Sequence, residues 1–314
     1  MKIAVVGVGA VGGYFGGRLA AAGEEVTFLA RGRTLTSLRR HGLRLRSIKG
    51  DVHLTNLRAS GEPEQVGPVD VVILGVKAWQ VAEVARTIGP LVGEATAILP
   101  LQNGVDVADQ LAEVHGREHV LGGMCRIVAL QAAPGQIHHV AVEPFVALGE
   151  LDNDPSVRAR ELVATFLRAG VEAELAADIH SRIWQKFMFI APVSGIGAVT
   201  RMPIGITRAV AQTRAALVRA TQEVHAVATR RGIRLPAEAV AKTMEFVDGM
   251  AAEATASMQR DIAAGLPSEL EAINGAVVRL GSACGVSVPT NEFIYAALLP
   301  LELQARAGGR ETRG

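Results

Sequence analysis

The sequence predicts an α/β chain, with a helix-covered parallel sheet in the first half and an all-helical second half. Two observations carry this reading. Short apolar, β-branched runs alternate with helical stretches as far as Leu175, the pattern of strands joined by crossover helices. Beyond about Ala177 the chain turns alanine-rich, with helical spacing and helix-stopping glycines. The expected division is 1–176 for the sheet domain, 177–307 for the helical domain and 308–314 for a polar, disordered tail.

Each element follows from its own residues. Residues 3–7 form a continuous apolar run suited to burial on both faces of a sheet. A helix is expected over about 13–22, ended by Gly23, and a second strand over 26–30. Residues 43–47 and 52–57 alternate around Lys49-Gly50-Asp51 and predict a hairpin. A buried strand at 69–76, a helix at 79–88 and a strand at 95–99 follow. Strands at 120–130, 136–142 and 145–148 are expected around the Pro134-Gly135 turn, then a helix at 155–169 and a short strand at 171–175. In the second half, helices are expected to stop at Gly232, at Gly265-Leu266-Pro267 and at Gly285. Ser268 and Glu271 have the S-x-x-E spacing of a capping box. Pro289-Thr290 opens a last helix through about Leu303.

Composition narrows the function classes. Thirty-two basic against thirty-one acidic side chains in 314 residues give a net charge of +1, which argues against nucleic acid as a partner. Two cysteines, Cys125 and Cys284, have no metal-ligand spacing, so neither a disulfide framework nor a metal site is expected. The apolar start runs straight into glycines rather than a cleavage site, and the apolar stretch 187–199 is too short to span a bilayer. A cytoplasmic protein without a membrane partner is expected. The alanine-rich C-terminal helices are candidates for a homodimer face.

Gly7-Val8-Gly9-Ala10-Val11-Gly12 matches G-x-G-x-x-G. Its context gives the match weight, because it closes a buried strand and opens a helix, as in a Rossmann domain with a doubly wound sheet. Gly7 permits the tight turn, Gly9 allows backbone to approach a pyrophosphate, and Gly12 lets the helix pack closely. All six residues are assigned to cofactor binding. NAD-binding versions carry an acid at the end of the second strand. Here that strand ends in Arg31-Gly32-Arg33. A guanidinium there suits a 2′-phosphate, so the expected cofactor is NADPH. Lys77 and Asn103 follow two later strands, at the carboxyl edge where such sheets bind ligands, although Asn-Gly after a strand is also an ordinary turn.

These segments, with Leu101-Gln102-Asn103-Gly104-Val105, Ile183-Trp184-Gln185-Lys186 and Ser268-Glu269-Leu270-Glu271-Ala272-Ile273-Asn274-Gly275, resemble the ketopantoate reductase (2-dehydropantoate 2-reductase) family in order and over nearly the whole chain. The resemblance implies NADPH-dependent reduction of a small-molecule 2-keto acid, 2-dehydropantoate to (R)-pantoate in pantothenate biosynthesis. It implies that Lys186 donates the proton to the keto oxygen and that Asn103 lies between nicotinamide and substrate. It also implies that Glu269 sits near the nicotinamide ribose and that Ser257 contacts the substrate. The chemistry asks for such groups independently, because hydride delivery to a ketone leaves negative charge on oxygen, which a nearby ammonium stabilises and then protonates. Lys186, Glu269 and Ser257 also have plainer readings: a solvated lysine, an acid favoured by a helix dipole and a surface hydroxyl.

The chain departs from the family at three positions. Ile190, Ser194 and Ile204 stand where it usually carries asparagines that bind the substrate's hydroxyl and carboxylate. Of the three only Ser194 remains a polar substrate-binding candidate. If the segment is helical, Lys186, Ile190 and Ser194 share one face, and Pro192 is expected to kink it. Isoleucine cannot pair a hydroxyl, and an unpaired buried polar group costs about 1–3 kcal/mol. A more apolar 2-keto acid is therefore the alternative substrate, and a non-catalytic NADPH-binding regulator the alternative function.

Overall fold

The computed structural model describes residues 1–311. Contacts divide the chain into two compact units, one of Met1–Gln102 with Val107–Ile179, the other of Asn103–Asp106 with the chain from His180 onward.

The first unit contains β1 (Lys2–Val6), α1 (Ala10–Ala21), β2 (Glu25–Leu29), α2 (Gly32–His41), β3 (Leu43–Ser47), β4 (Val52–Leu54), β5 (Arg58–Ser60), β6 (Val69–Leu74), α3 (Val81–Thr87), β7 (Val92–Pro100), α4 (Val107–His115), β8 (Leu121–Ala133), β9 (Gln136–Glu150), α5 (Val157–Arg168) and β10 (Glu172–Leu175). Five of these strands form a wholly parallel sheet in the order β5-β2-β1-β6-β7. The expected doubly wound fold is borne out. The strand order reverses between β1 and β6, so the loops leaving these two strands border the crevice where such sheets take ligands.

The remaining strands form a second sheet, β10-β9-β3-β4, with β8 antiparallel to β9. The hairpin expected from residues 43–57 is its edge. Helix α1 lies between the two sheets, and its glycines permit this. A Cβ on Gly16 would stand 2.8 Å from Val5 and Phe28 of the first sheet, and one on Gly17 would stand 2.7 Å from Leu45 of the second. A helix with side chains on both faces could not approach both sheets so closely. On the other side of the first sheet, Val81 and Val84 of α3 and Leu111 of α4 pack in one cluster with Ala4, Val72, Leu74 and Ile98.

Two differences from the expected elements have physical reasons. Residues 136–142 and 145–148 are one strand, β9, rather than two. It bends at Val142, whose φ of 68° is an outlier for a β-branched residue. The buried imidazole of His139 meets the Ala141 and Val142 carbonyls there, at 3.1 and 2.8 Å. Helices α2 and α4 carry only one and two buried residues, too few to give an apolar period.

The second unit is helical: α6 (Ile179–Thr200), α7 (Ile204–Ala209), α8 (Ala211–Arg230), α9 (Ala239–Gly249), α10 (Ser257–Ala263), α11 (Ala276–Cys284) and α12 (Pro289–Glu311), with a π-helical turn at Glu271–Gly275. Helix α6 is continuous through Pro192. Its core joins Trp184, Phe187 and Met188 to Leu217, Val224, Met258, Ile273 and Ile294. The expected stops hold, since Gly232, Gly265 and Gly285 all take positive φ. Helix α12 continues to Glu311, so residues 308–311 belong to a helix rather than to the expected tail, and 312–314 lie outside the described residues. Among the described residues no helix is long and apolar enough to cross a membrane, and no group of His, Cys, Asp and Glu could hold a metal.

Candidate active site

The glycine turn separates packing from ligand access, residue by residue. Gly7 has a φ of 91°, and a Cβ there would stand 2.6 Å from the Val76 side chain. A Cβ on Gly12 would fall 2.1 Å from the Gly7 carbonyl oxygen, and one on Gly75 would fall 2.6 Å from the Gly12 Cα. These three glycines interlock β1, α1 and the end of β6. Gly75 was not singled out in the sequence, where it lay inside the run expected as a strand. Gly9 differs, because a Cβ there would meet only the Gly75 carbonyl, at 4.0 Å. No packing demand explains that glycine. It leaves backbone uncovered at the N-cap of α1, where the first-turn N–H groups lack helical partners and favour an anion. Val8 is buried beneath the turn, while Ala10 and Val11 are half-buried on the first turn of the helix. The turn fits a dinucleotide pyrophosphate.

Arg31 is the N-cap residue of α2, directly after Ala30 at the end of β2. Its side chain is 66% exposed and meets Glu83, itself 69% exposed, at 3.3 Å. An ion pair this open is worth about 0–1 kcal/mol, so a phosphate dianion would displace it at little cost. Lys77 follows β6, and its N–H donates to the Gln80 side chain at 3.1 Å.

Gln102 and Asn103 are chain neighbours with separate anchors. The Gln102 amide is buried in the first unit and donates to the Leu74 and Val76 carbonyls at 2.8 and 3.1 Å. Asn103 belongs to the second unit. Its Oδ1 accepts from Lys186 Nζ at 2.8 Å, and its Nδ2 donates to Glu269 Oε2 at 3.2 Å. Gly104, at φ 132°, supplies the turn between these anchors and Val105. One amide therefore joins the expected proton donor to the expected acid. Lys186 is half-buried on α6, and Glu269 is buried ahead of the π-helical turn.

Of the other expected substrate-binding residues, Ser194 is buried on α6 and Ser257 opens α10, half-buried. Both stand outside the Lys186–Asn103–Glu269 chain. Ile190, one turn after Lys186, packs against the helical core, and Ile204 is buried in it.

The capping box expected at Ser268 is not formed. The Ser268 N–H donates to both carboxylate oxygens of Glu302, and its hydroxyl donates to Glu302 Oε2 at 2.5 Å. Glu302 is buried, and Arg306 neutralises it at 2.7 Å. A carboxylate on α12 thus takes the role expected of Glu271, and it anchors the residue next to Glu269. Glu271 turns outward to Tyr295 and Arg279. A partner 34 residues away leaves no local signal.

Two family patterns cover the chain. "Ketopantoate reductase PanE/ApbA" matches residues 3–153, and "Ketopantoate reductase PanE/ApbA C terminal" matches residues 178–302. The chain belongs to the ketopantoate reductase family. It is therefore a member of a family of oxidoreductases. It is 30% identical to a Bacillus subtilis protein named "Uncharacterized oxidoreductase YkpB", over 97% of this chain and 100% of that one. The structure resembles that of 2-dehydropantoate 2-reductase from Geobacter metallireducens, with a TM-score of 0.89 and 33% identity, covering 96% of this chain and 99% of that one. It also resembles a D-mandelate dehydrogenase solved with NADH and anilino(oxo)acetate, with a TM-score of 0.88 and 25% identity over 98% and 99% of the two chains.

The interlocked glycines set up a comparison between two single-methyl additions. Gly12→Ala should destabilise the protein by about 3 kcal/mol or more, because backbone rather than a movable side chain blocks the methyl. Gly9→Ala should stay within about 0.5 kcal/mol of the wild type. Urea unfolding of both variants checks this, and equal losses would contradict it.

Proposed function

We propose that the chain is an NADPH-dependent reductase of 2-keto acids, with 2-dehydropantoate as the reference substrate and (R)-pantoate as its product. The observation that carries this is the Asn103 amide, held between Lys186 at 2.8 Å and Glu269 at 3.2 Å. A proton donor needs a fixed direction as well as a charge. Asn103 uses one of the three N–H donors of the ammonium and thereby aims the other two.

A nicotinamide cofactor supplies the hydride when bound. In this reading the Gly7–Gly12 turn and the first turn of α1 hold the pyrophosphate, Lys77 contributes to cofactor binding, and Arg31 pairs with the 2′-phosphate. Lys186 stabilises the charge that develops on the keto oxygen and donates its proton there. Asn103 orients Lys186 through its carbonyl and Glu269 through its amide nitrogen. Glu269 faces the nicotinamide ribose and Asn103 lies between nicotinamide and substrate, as the resemblance implies. Ser194 and Ser257 supply hydroxyl donors to the keto acid.

A second reading concerns the substrate, and the isoleucines favour it. Ile190 lies one helical turn from Lys186 and Ile204 is buried, where the family usually has asparagines. The likeness to D-mandelate dehydrogenase points the same way, towards a keto acid with an apolar substituent. Rates over a panel of branched and aromatic 2-keto acids separate the two. A kcat/KM for 2-dehydropantoate at least about 100-fold below that for another acid would replace it as the substrate, a gap within reach of a few apolar contacts.

The assignment of roles makes a paired prediction. Lys186→Ala should lower turnover by about 10²–10⁴-fold and leave NADPH affinity nearly unchanged in fluorescence titration. Arg31→Ala should weaken NADPH far more than NADH. A fully active Lys186→Ala protein would remove the proton donor from the account, and equal losses for the two nucleotides would remove the phosphate contact.

A further inference from the structure

Asn103 can aim Lys186 only if its own backbone is held. That backbone belongs to a four-residue loop, Asn103–Asp106, and the loop has two further anchors. Val105 packs against the helical core. Asp106 accepts from Arg279 Nη2 of α11 at 2.6 Å, and its other oxygen is buried without a hydrogen bond. The second terminal nitrogen of Arg279 donates to Glu271 Oε1 at 2.9 Å, and Glu271 Oε2 accepts from the Tyr295 hydroxyl at 2.7 Å. The Tyr295 phenol is pushed up to about 12, chiefly by that hydrogen bond to the Glu271 carboxylate. It therefore stays a donor at neutral pH. Gly275 makes room for the cluster, since a Cβ there would stand 3.0 Å from both Glu271 Oε2 and the Tyr295 ring.

The connectivity matters more than the individual bonds. Residues 103 and 106 lie on one strip of backbone, and residues 269 and 271 on another. The strips are joined directly by Asn103–Glu269 and again by Arg279, which bridges Asp106 and Glu271. Arg279 also neutralises two carboxylates that would otherwise repel each other, with a third at Glu269 nearby in sequence.

We propose that Arg279 is a positioning residue for the reduction, fastening the Asn103 loop to the Glu269 segment so that the amide stays aligned on Lys186. This rests on reading Asn103, Lys186 and Glu269 as the active site. Without Arg279, Asp106 keeps a charge that is only 18% exposed and has lost its partner. The loop then moves toward water and takes Asn103 with it. The guanidinium reaches the two carboxylates from separate terminal nitrogens, a spread that a single lysine nitrogen lacks.

The test compares Arg279→Met, Arg279→Lys and Arg279→Met/Asp106→Asn in steady-state kinetics and amide hydrogen exchange. Arg279→Met should lower kcat by about 10–100-fold, the scale of a small misplacement at a reacting centre. Exchange at the Asn103 side-chain amide, which donates to Glu269, should rise at least about tenfold, because it loses that hydrogen bond when the loop moves. The melting temperature should change little, because the loop relieves the stranded Asp106 charge by opening locally rather than by global unfolding. Arg279→Lys should fall between wild type and Arg279→Met. The double variant should recover part of the lost kcat, because it removes the stranded charge. Unchanged exchange overturns the proposal whatever the rates do, and so does faster exchange with an unchanged kcat. If the wild type reduces no 2-keto acid, the proposed function fails separately, while exchange in Arg279→Met still decides whether Arg279 fastens the loop.

Discussion

In the proposed active site a single side-chain amide carries the geometry. Asn103 accepts from Lys186 through Oδ1 and donates to Glu269 through Nδ2, two separate atoms held in one planar group. Its neighbour Gln102 spends its amide nitrogen on the Leu74 and Val76 carbonyls, at and just beyond the end of β6. Two adjacent amides thus anchor one peptide segment from both ends, and the positive φ of Gly104 lets the chain turn away afterwards. The positions of Lys186 and Glu269 have meaning only relative to that anchored amide.

The first unit follows a complementary rule, in which the proposed cofactor contacts occupy the places where packing makes no demand. Gly7, Gly12 and Gly75 are required by backbone contacts. Gly9 is not, and its bare backbone at the mouth of α1 is what a pyrophosphate needs. Glycines also let α1 lie between two sheets, which fixes the helix whose N-terminus is the proposed anion site. Arg31 stands outside this packing, paired with the exposed Glu83, which leaves it open to the proposed phosphate contact.

Much of this was legible in the sequence, for identifiable reasons. Strands buried on both faces announce themselves as continuous apolar runs, so β1 and β6 fell where expected. The hairpin of residues 43–57 was read correctly, but its partners were not, because sheet pairing between β3 and β9 spans more than ninety residues. Lys186, Asn103 and Glu269 were singled out by family resemblance, and the structure brings all three together. The cap at Ser268 was misread because a local motif was available while the actual partner, Glu302, lies on the last helix. Arg279 and Asp106 gave no signal, since their contact joins residues 173 apart. What sequence conveys poorly here is long-range pairing between polar groups.

The most direct test of the central claim is a crystal structure of the protein with NADPH and a non-reducible 2-keto acid analogue. The account predicts Lys186 Nζ within about 2.6–3.2 Å of the analogue's keto-position oxygen, still bonded to Asn103. An ammonium that points into bulk water, with the analogue held by other groups, would contradict it.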